Sequence, residues 1–248
     1  MSPTEAFFAS RSMQALEVLA FGPCTASQLA AELKVHPRTA RRLLNRMVSD
    51  GWLTRRDGPR PTYTPTMRIV ALAAQLAYRA PLVKHAIEVA RDLQARTGDS
   101  VHMAVPSYRS ALRLVRATGG ADGKPELRDL APAHAIAGGK LLLAFRDPWR
   151  EVVLESPLAP LTERTLIEPD AVRADLEETR ARGYAVEDQE FRMGTQAIAL
   201  PVRDGTGEVV AALALSSCKA GLPKLIEAGD EVAAAADELS GRLMQEAA

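Results

Sequence analysis

Six arginines stand in the stretch LKVHPRTARRLLNRMVSDGWLTRR, Leu33 to Arg56: Arg38, Arg41, Arg42, Arg46, Arg55 and Arg56. A guanidinium is permanently charged and presents its donors as a planar fork, which suits the oxygens of a phosphate and the O6/N7 edge of guanine. No acidic residue lies between Glu32 and Asp50 to balance them. Solvated helix faces usually mix Glu with Arg for i, i+4 support, so a one-signed face predicts a polyanion as its partner. Net charge over the whole chain is zero, but residues 1–80 hold 11 basic and 5 acidic residues while the remainder holds 20 and 26. A basic first third joined to an acidic rest suggests two modules, the first of which meets the polyanion.

Other chemistries lack their spacing. Gly138, Gly139 and Lys140 look like part of a phosphate loop, but position 134 is histidine where glycine is required, and Leu141 follows where Ser or Thr is required. His36, His85, His102 and His134 are scattered, and neither Cys24 nor Cys218 has a second ligand at metal spacing. Both cysteines are expected to be small packing residues in a reducing cytosol. Glu177–Glu178 and the cluster Glu187–Glu190 read as solvated acid, the second in a turn, rather than as a catalytic carboxylate pair. No serine sits in a nucleophile elbow. Neither catalysis, nor a cofactor, nor a metal is expected. No run of 18 apolar residues exists, which argues against a helical membrane span. The opening MSPTEAFFASRS has no basic region, which argues against a signal peptide. A cytoplasmic protein is expected.

The arginines need a scaffold, and the pattern supplies one. Residues 8–20 read as a helix. Thr25 is an N-cap with Gln28 in capping-box position, opening a helix over Ala26–Leu33. A short turn, Lys34–His36, leads to Pro37, favoured in a first helical turn. From there to Asp50, Ala40, Leu43, Leu44 and Met47 fall at i, i+3, i+4 and i+7 and form a buried stripe. At about 100° per residue, Arg38, Arg42 and Asn45 lie opposite, with Thr39, Arg41 and Arg46 on the shoulders. Trp52–Arg55 and Pro61–Thr64 read as strands joined by the basic tip RDGPR, residues 56–60. Two helices, a tight turn and a basic hairpin make a winged helix-turn-helix, whose second helix fits a major groove of double-stranded DNA. Candidate DNA contacts are Thr25, Ser27, Arg38, Thr39, Arg41, Arg42, Asn45 and Arg46, with Arg56 and Arg60 on the wing.

Met67–Tyr78 reads as a helix whose apolar face is too broad for a lone exposed linker, so a packing partner is expected. The domain boundary falls at residues 79–81. Beyond it come a helix over Leu82–Thr97, strands over Ser100–Val105 and Ala111–Ala117, and a loop at 119–125. Helices over Ala133–Phe145 and Pro169–Arg182 follow. Strands over Tyr184–Val186, Gln196–Val202 and Val209–Ser216 precede a last helix from Leu222 to about Met244. With 47% hydrophobic residues, the chain can bury a core in each part.

The chain resembles the IclR family of bacterial transcriptional regulators over nearly its whole length. The first third does so in TASQLAAELKVHPRTARRLLNRMVSDGWLTRR. In PAHAIAGGKLLLAF the shared positions are Pro132, His134, Ala135, Gly139, Lys140 and Ala144; in ARGYAVEDQEFRMG they are Gly183, Tyr184, Asp188 and Glu190; AIALPVRDGTGEVVAALALS is the last motif. The resemblance implies an α+β chain: a winged helix-turn-helix over 1–66, a linker helix over 67–80, and a GAF-like domain over 81–248 whose antiparallel sheet is flanked by helices. It further implies a homodimer or tetramer on a palindromic operator and a small-molecule effector in the GAF-like domain; the motif segments there are largely apolar, with Ile136, Ile198 and Leu200 near the motif residues, and a small organic acid is expected.

By the same resemblance the effector contacts are Gly139, Asp188, Ala197 and Ser216. Each has a second reading from the residues alone. Gly139 also suits close helix packing, Asp188 a turn or an arginine, and Ser216 a strand end; His134 reads as a packing histidine. Ala197 stands where the family often has cysteine, and Lys34 where its turn usually has glycine, so Lys34 either keeps an ordinary φ or bears the strain of a left-handed backbone. Two functions stay open: a ligand-responsive regulator, repressor or activator, and a constitutive or architectural DNA-binding protein whose second domain only oligomerises.

Overall fold

The computed structural model describes residues 3–20, 22–78, 80–118 and 130–247. The chain divides into two compact units, Met1–Arg79 and Ala80–Ala248. In the first, α1 (Pro3–Leu19) precedes the short strand β1 (Cys24–Thr25), then α2 (Ala26–Glu32), α3 (Pro37–Ser49), β2 (Leu53–Arg56), β3 (Thr62–Pro65) and α4 (Met67–Tyr78). The strands form an antiparallel sheet in the order β1-β3-β2. Helix α1 starts earlier than residue 8, both wing strands lie one residue later than their periodicity suggests, and β1 is too short to have left a pattern.

Local chemistry explains the helix-turn-helix. Gln28 N–H donates to Thr25 Oγ1 (3.3 Å) and Thr25 N–H to Gln28 Oε1 (2.8 Å), a complete capping box. His36 caps α3, its Nδ1 accepting the Arg38 N–H at 3.2 Å, and Pro37 occupies the first turn. Lys34 has φ 52° in the turn between the two helices, a left-handed backbone. The predicted stripe is the buried one: Ala40, Leu43, Leu44 and Met47 pack with Leu19, Leu29 and Tyr63.

The second unit runs α5 (Pro81–Thr97), β4 (Ser100–Ser107), β5 (Ser110–Ala117), β6 (Leu130–Pro132), a 3-10 turn (Ala133–Ala135), α6 (Ala137–Phe145), α7 (Asp147–Leu154), α8 (Pro169–Arg182), β7 (Ala185–Asp188), β8 (Gln196–Arg203), β9 (Val209–Ser217), α9 (Leu222–Glu227) and α10 (Gly229–Ala247). The six strands pair antiparallel in the order β6-β5-β4-β9-β8-β7. Three expectations change. The helix expected over 133–145 starts as a 3-10 turn and becomes α-helical only at Ala137. The last helix breaks between Glu227 and Gly229. Strand β6 and helix α7 were not expected at all. The loop expected at 119–125 lies outside the described residues.

Both sheet faces are covered, and by different residues. Val101, Met103, Ile198, Leu213 and Leu215 point to α5 and α10, while Ala104, Ala197, Ala199, Ala212 and Ala214 point to α6 and α8. Period-two alternation thus sorts large side chains to one face and alanines to the other. The alanine face lets α6 come close. A Cβ added to Gly138 would lie 2.9 Å from the Ala104 Cβ, and one added to Gly139 would collide with the Ala133 carbonyl.

These contacts predict that Gly139→Ala lowers stability by about 1–3 kcal/mol, an overpacking cost. Gly241→Ala, within α10 and with open space at its Cβ, is expected to raise stability by up to about 1 kcal/mol. Chemical denaturation of the two variants beside the parent checks both.

Candidate nucleic-acid interface and ligand cavity

On the first unit the cationic side of α3 is open. Arg38, Arg41, Arg42, Asn45 and Arg46 are exposed and Thr39 is half-buried. His36, Arg38, Thr39, Arg41, Arg42 and Asn45 line one concave surface. A second, of about 860 Å³, runs between the start of α2 and the wing; Thr25, Ser27, Gln28, Arg41, Arg55 and Arg60 line it. Arg41 belongs to both, which makes the two surfaces one continuous basic face.

Several of these groups have structural duties as well. Thr25 spends its hydroxyl on the cap of α2. Asn45 Oδ1 accepts from the Tyr63 hydroxyl at 3.0 Å, tying α3 to the middle wing strand. Arg46 pairs with Asp50 at 3.3 Å, and Arg55 with Asp57 at 2.8 Å. Arg56 is exposed on β2, outside both lined surfaces. Gln28, His36 and Arg55 line the face without having been singled out; the capping role of the first and the turn position of the second hid them.

In the second unit a small cavity, about 50 Å³, opens between the alanine face of the sheet and the first turn of α6. Its apolar wall is Ala104, Ile136, Ala137, Phe191, Ala197 and Ala214, with Gly138 alongside. Its polar groups are His102 from β4, Arg113 from β5, Glu187 from β7, Thr195 from the loop before β8, and Ser216 from β9. His102 Nε2 and Ser216 Oγ are 2.7 Å apart. The Arg113 guanidinium lies over the Phe191 ring, 5.7 Å from its centre. Glu187 is 4% exposed, and its Oε1 has no hydrogen-bond partner among the described residues.

Behind that wall lies a buried ion cluster. Lys140, 2% exposed, places its Nζ 2.7 Å from Glu190 Oε1 and 2.9 Å from Asp175 Oδ2. Burial pushes the Glu190 carboxyl up, against the pull of the Lys140 ammonium. Burial, helped by the charge of Glu190, pushes Glu187 up to about 7. The stability that protonated Glu187 contributes is therefore full below the ordinary carboxylate range and is lost as pH rises through about 7.

The expected effector residues divide. Ala197 and Ser216 line the cavity. Asp188 does not: strand parity turns Glu187 inward and Asp188 outward, where Gln196 and Arg164 bond it and hold its carboxyl below the usual range. Gly139 does not either; Gly138 is at the cavity, and Gly139 faces the Ala133 backbone. The reading of 187–190 as solvated acid is corrected, since Glu187 and Glu190 are 4% and 7% exposed. His134 is a packing residue: its Nε2–H donates to the Ala159 carbonyl at 3.1 Å, and burial pushes the ring below its ordinary range. His102 and Arg113 were missed. The available signal was parity: each polar side chain takes an inward place on its strand beside Ala104 or Ala111.

The sequence profile of the bacterial transcriptional regulator IclR C-terminal family matches residues 74–240. The chain belongs to the IclR family of transcriptional regulators. A MarR-family profile matches residues 10–61, the helix-turn-helix part of this IclR chain. It is 28% identical over 241 residues to the HTH-type transcriptional regulator BhcR of Paracoccus denitrificans, covering 93% of this chain and 85% of that one. With the Pca regulon regulatory protein of Pseudomonas putida it shares 26% identity over 205 residues, 78% and 67% of the two chains. Its fold is that of a putative IclR regulator from a Silicibacter species, with TM-score 0.79, 22% identity and coverage of 95% and 96%. An IclR homolog from Microbacterium hydrocarbonoxydans, solved with 4-hydroxybenzoate, gives TM-score 0.74 at 25% identity over 95% and 98% of the chains. These relatives are regulators, not enzymes, and this IclR chain is likewise a transcriptional regulator with a DNA-binding helix-turn-helix. Among its described residues no helix is long and apolar enough to cross a membrane.

The ion cluster gives this IclR domain a measurable weakness. Lys140→Met leaves Glu190 and Asp175 facing one another without their cation, which is expected to cost about 3 kcal/mol at pH 7. The loss shrinks at pH 5, because burial pushes the Glu190 carboxyl up and its protonation as pH falls relieves the unpaired charge. Urea denaturation of parent and variant at the two pH values checks the size and the sign.

Proposed function

We propose that the protein binds a palindromic operator as a homodimer, or a dimer of dimers, and that a small organic acid held in the cavity of the second unit sets its affinity for DNA. The observation that carries this reading is the pairing, on one chain, of an open arginine face with a small cavity whose mostly apolar wall holds one arginine, one glutamate, one histidine and two hydroxyl side chains. Such a cavity excludes water around a small ligand while offering it a few fixed donors.

The DNA contacts in this reading are Arg38, Thr39, Arg41 and Arg42 on α3, Ser27 at the start of α2, and Arg56 and Arg60 on the wing. Thr25, Asn45 and Arg46, engaged within the unit, position the face as well as touching DNA. The effector contacts are Arg113, Glu187, Gly138, Ala197 and Ser216, while Gly139 and Asp188 frame the site. Helix α4 supports the dimer: Met67, Val70, Leu72 and Leu76 are 75%, 54%, 46% and 62% exposed in the single chain, an apolar stripe that a second copy would cover. A DNA-binding role fits a cytoplasmic protein. An acid that prefers one arrangement of the subunits shifts their equilibrium, typically by about 1–3 kcal/mol of coupling, and so either releases or recruits the operator.

Two experiments test this. Arg42→Ala is expected to weaken operator binding about tenfold and to flatten the slope of log K against log salt by about one, as the loss of a phosphate contact does. Unchanged affinity and slope in a fluorescence-anisotropy titration would remove Arg42 from the interface. Ala197→Leu fills the cavity. Acids that raise the melting temperature of the parent should leave this variant unmoved while its operator binding without acid persists. An acid whose effect survives the substitution binds elsewhere, and the cavity would lose its role.

A further inference from the structure

We propose that the cavity takes up a monocarboxylic acid as its anion together with one proton, and that Glu187 is the group that holds the proton. The inference rests on reading the cavity as an acid site. Its lining contains one arginine, Arg113, and one carboxylate, Glu187. An incoming carboxylate is drawn to the Arg113 guanidinium, the natural fork for its two oxygens. Ionised Glu187 would then be a second anion in the same small, buried space, and like charges held together there cannot both stay ionised.

The groups that favour ionised Glu187 are the backbone N–H groups of Phe191 and Ala137 and the Lys140 ammonium, and burial with the charge of Glu190 outweighs them. From α6, Lys140 approaches, but its ammonium is held by Glu190 from the loop after β7 and by Asp175 from α8. From β4 comes His102, paired with Ser216 of β9. The cluster of Asp175, Glu187 and Glu190 thus has three carboxylates around one lysine even before the ligand arrives. The Glu187 carboxyl already stands near 7 through burial and the charge of Glu190, and a ligand anion raises it further. Once protonated, it donates to one ligand oxygen while Arg113 donates to the other. No bond beyond the O–H of Glu187 is made, and the proton comes from solvent.

A ligand ammonium could neutralise Glu187 instead, and the lining argues against it. An ammonium needs about three acceptors, whereas the cavity sets a permanently charged guanidinium beside its one carboxylate, which repels a second cation. The alanines, Ile136 and Phe191 suit a hydrocarbon or aromatic body. A dicarboxylate would add a further charge to a wall already backed by excess acid, so monocarboxylates are preferred.

The test uses the full-length protein with benzoate, 4-hydroxybenzoate, pyruvate and glyoxylate as probes, all fully ionised between pH 6 and 8.5. Calorimetry of each probe that stabilises the protein at pH 6 is repeated to pH 8.5 and in two buffers of different ionisation enthalpy. The expected result is uptake of close to one proton at pH 8 and an affinity that falls by up to tenfold per pH unit above about 7. Glu187→Gln, which keeps the shape and a donor, should flatten that profile and bind at pH 8.5 about as well as the parent does at pH 6. Should the variant fail to fold, the proton count of the parent stands by itself. Stabilisation by none of the probes at pH 6 overturns the acid-site reading and this inference with it. Binding without proton uptake overturns the inference alone. A pH slope that persists in Glu187→Gln shows that another group takes the proton, and tighter binding of 4-(aminomethyl)benzoate than of benzoate at pH 8.5 shows that the ligand brings its own cation; either result overturns it.

Discussion

The closeness of α6 to the sheet is the constraint on which the second unit depends. Glycines at 138 and 139 bring the helix backbone against Ala104 and Ala133, where any Cβ would collide. Alanines on β4, β8 and β9 make room from the other side. Small side chains facing a close helix pack tightly along most of the contact and leave a gap only at its end. That end is the first turn of α6, where backbone N–H groups have no partner within the helix. The cavity therefore sits where the helix-end donors and missing side-chain volume coincide, and the Ala137 N–H there bonds Glu187. On the opposite face the large residues of the same strands, packed on α5 and α10, form a continuous core that keeps the sheet in place.

Charge is handled differently in the two units. On α3 the guanidiniums are exposed, and like charges there are screened by solvent. Around Lys140 the charges lie within the protein, and each needs a partner at hydrogen-bond distance. Removing one member of the second arrangement exposes the others to a low dielectric, while removing one member of the first leaves the fold untouched. The two sets of residues thus answer to different tests, stability for the buried cluster and, on the proposed reading, DNA affinity for the arginines.

The helix-turn-helix was legible because it is local. Ala40, Leu43, Leu44 and Met47 announce a helix and its buried side, and the arginines then have one place to go. Of the two conformations that the resemblance left open for Lys34, the structure has the left-handed one. The alternating motifs of β8 and β9 likewise announced strands. What escaped was parity and distance. Ending β7 at Val186 made the acids beyond it look like turn residues, whereas the strand runs to Asp188 and puts Glu187 inside. One residue of offset likewise separated Gly139 from Gly138. The partners of Lys140 lie at positions 175 and 190, beyond the reach of any periodicity, so nothing marked Glu190 as buried. Ile198, whose motif suggested a place near the ligand, points instead to the α5 and α10 side.

The bond between Asn45 and Tyr63 has a mechanical consequence. Tyr63 is 2% exposed and anchored in the core, and its hydroxyl holds α3 midway along the side that carries the arginines. The angle between helix and hairpin is thereby fixed before any duplex arrives, so the two prongs grip as a single jaw. On the proposed reading, a duplex whose groove geometry departs from that angle must itself bend or twist, and its deformability becomes part of what is read.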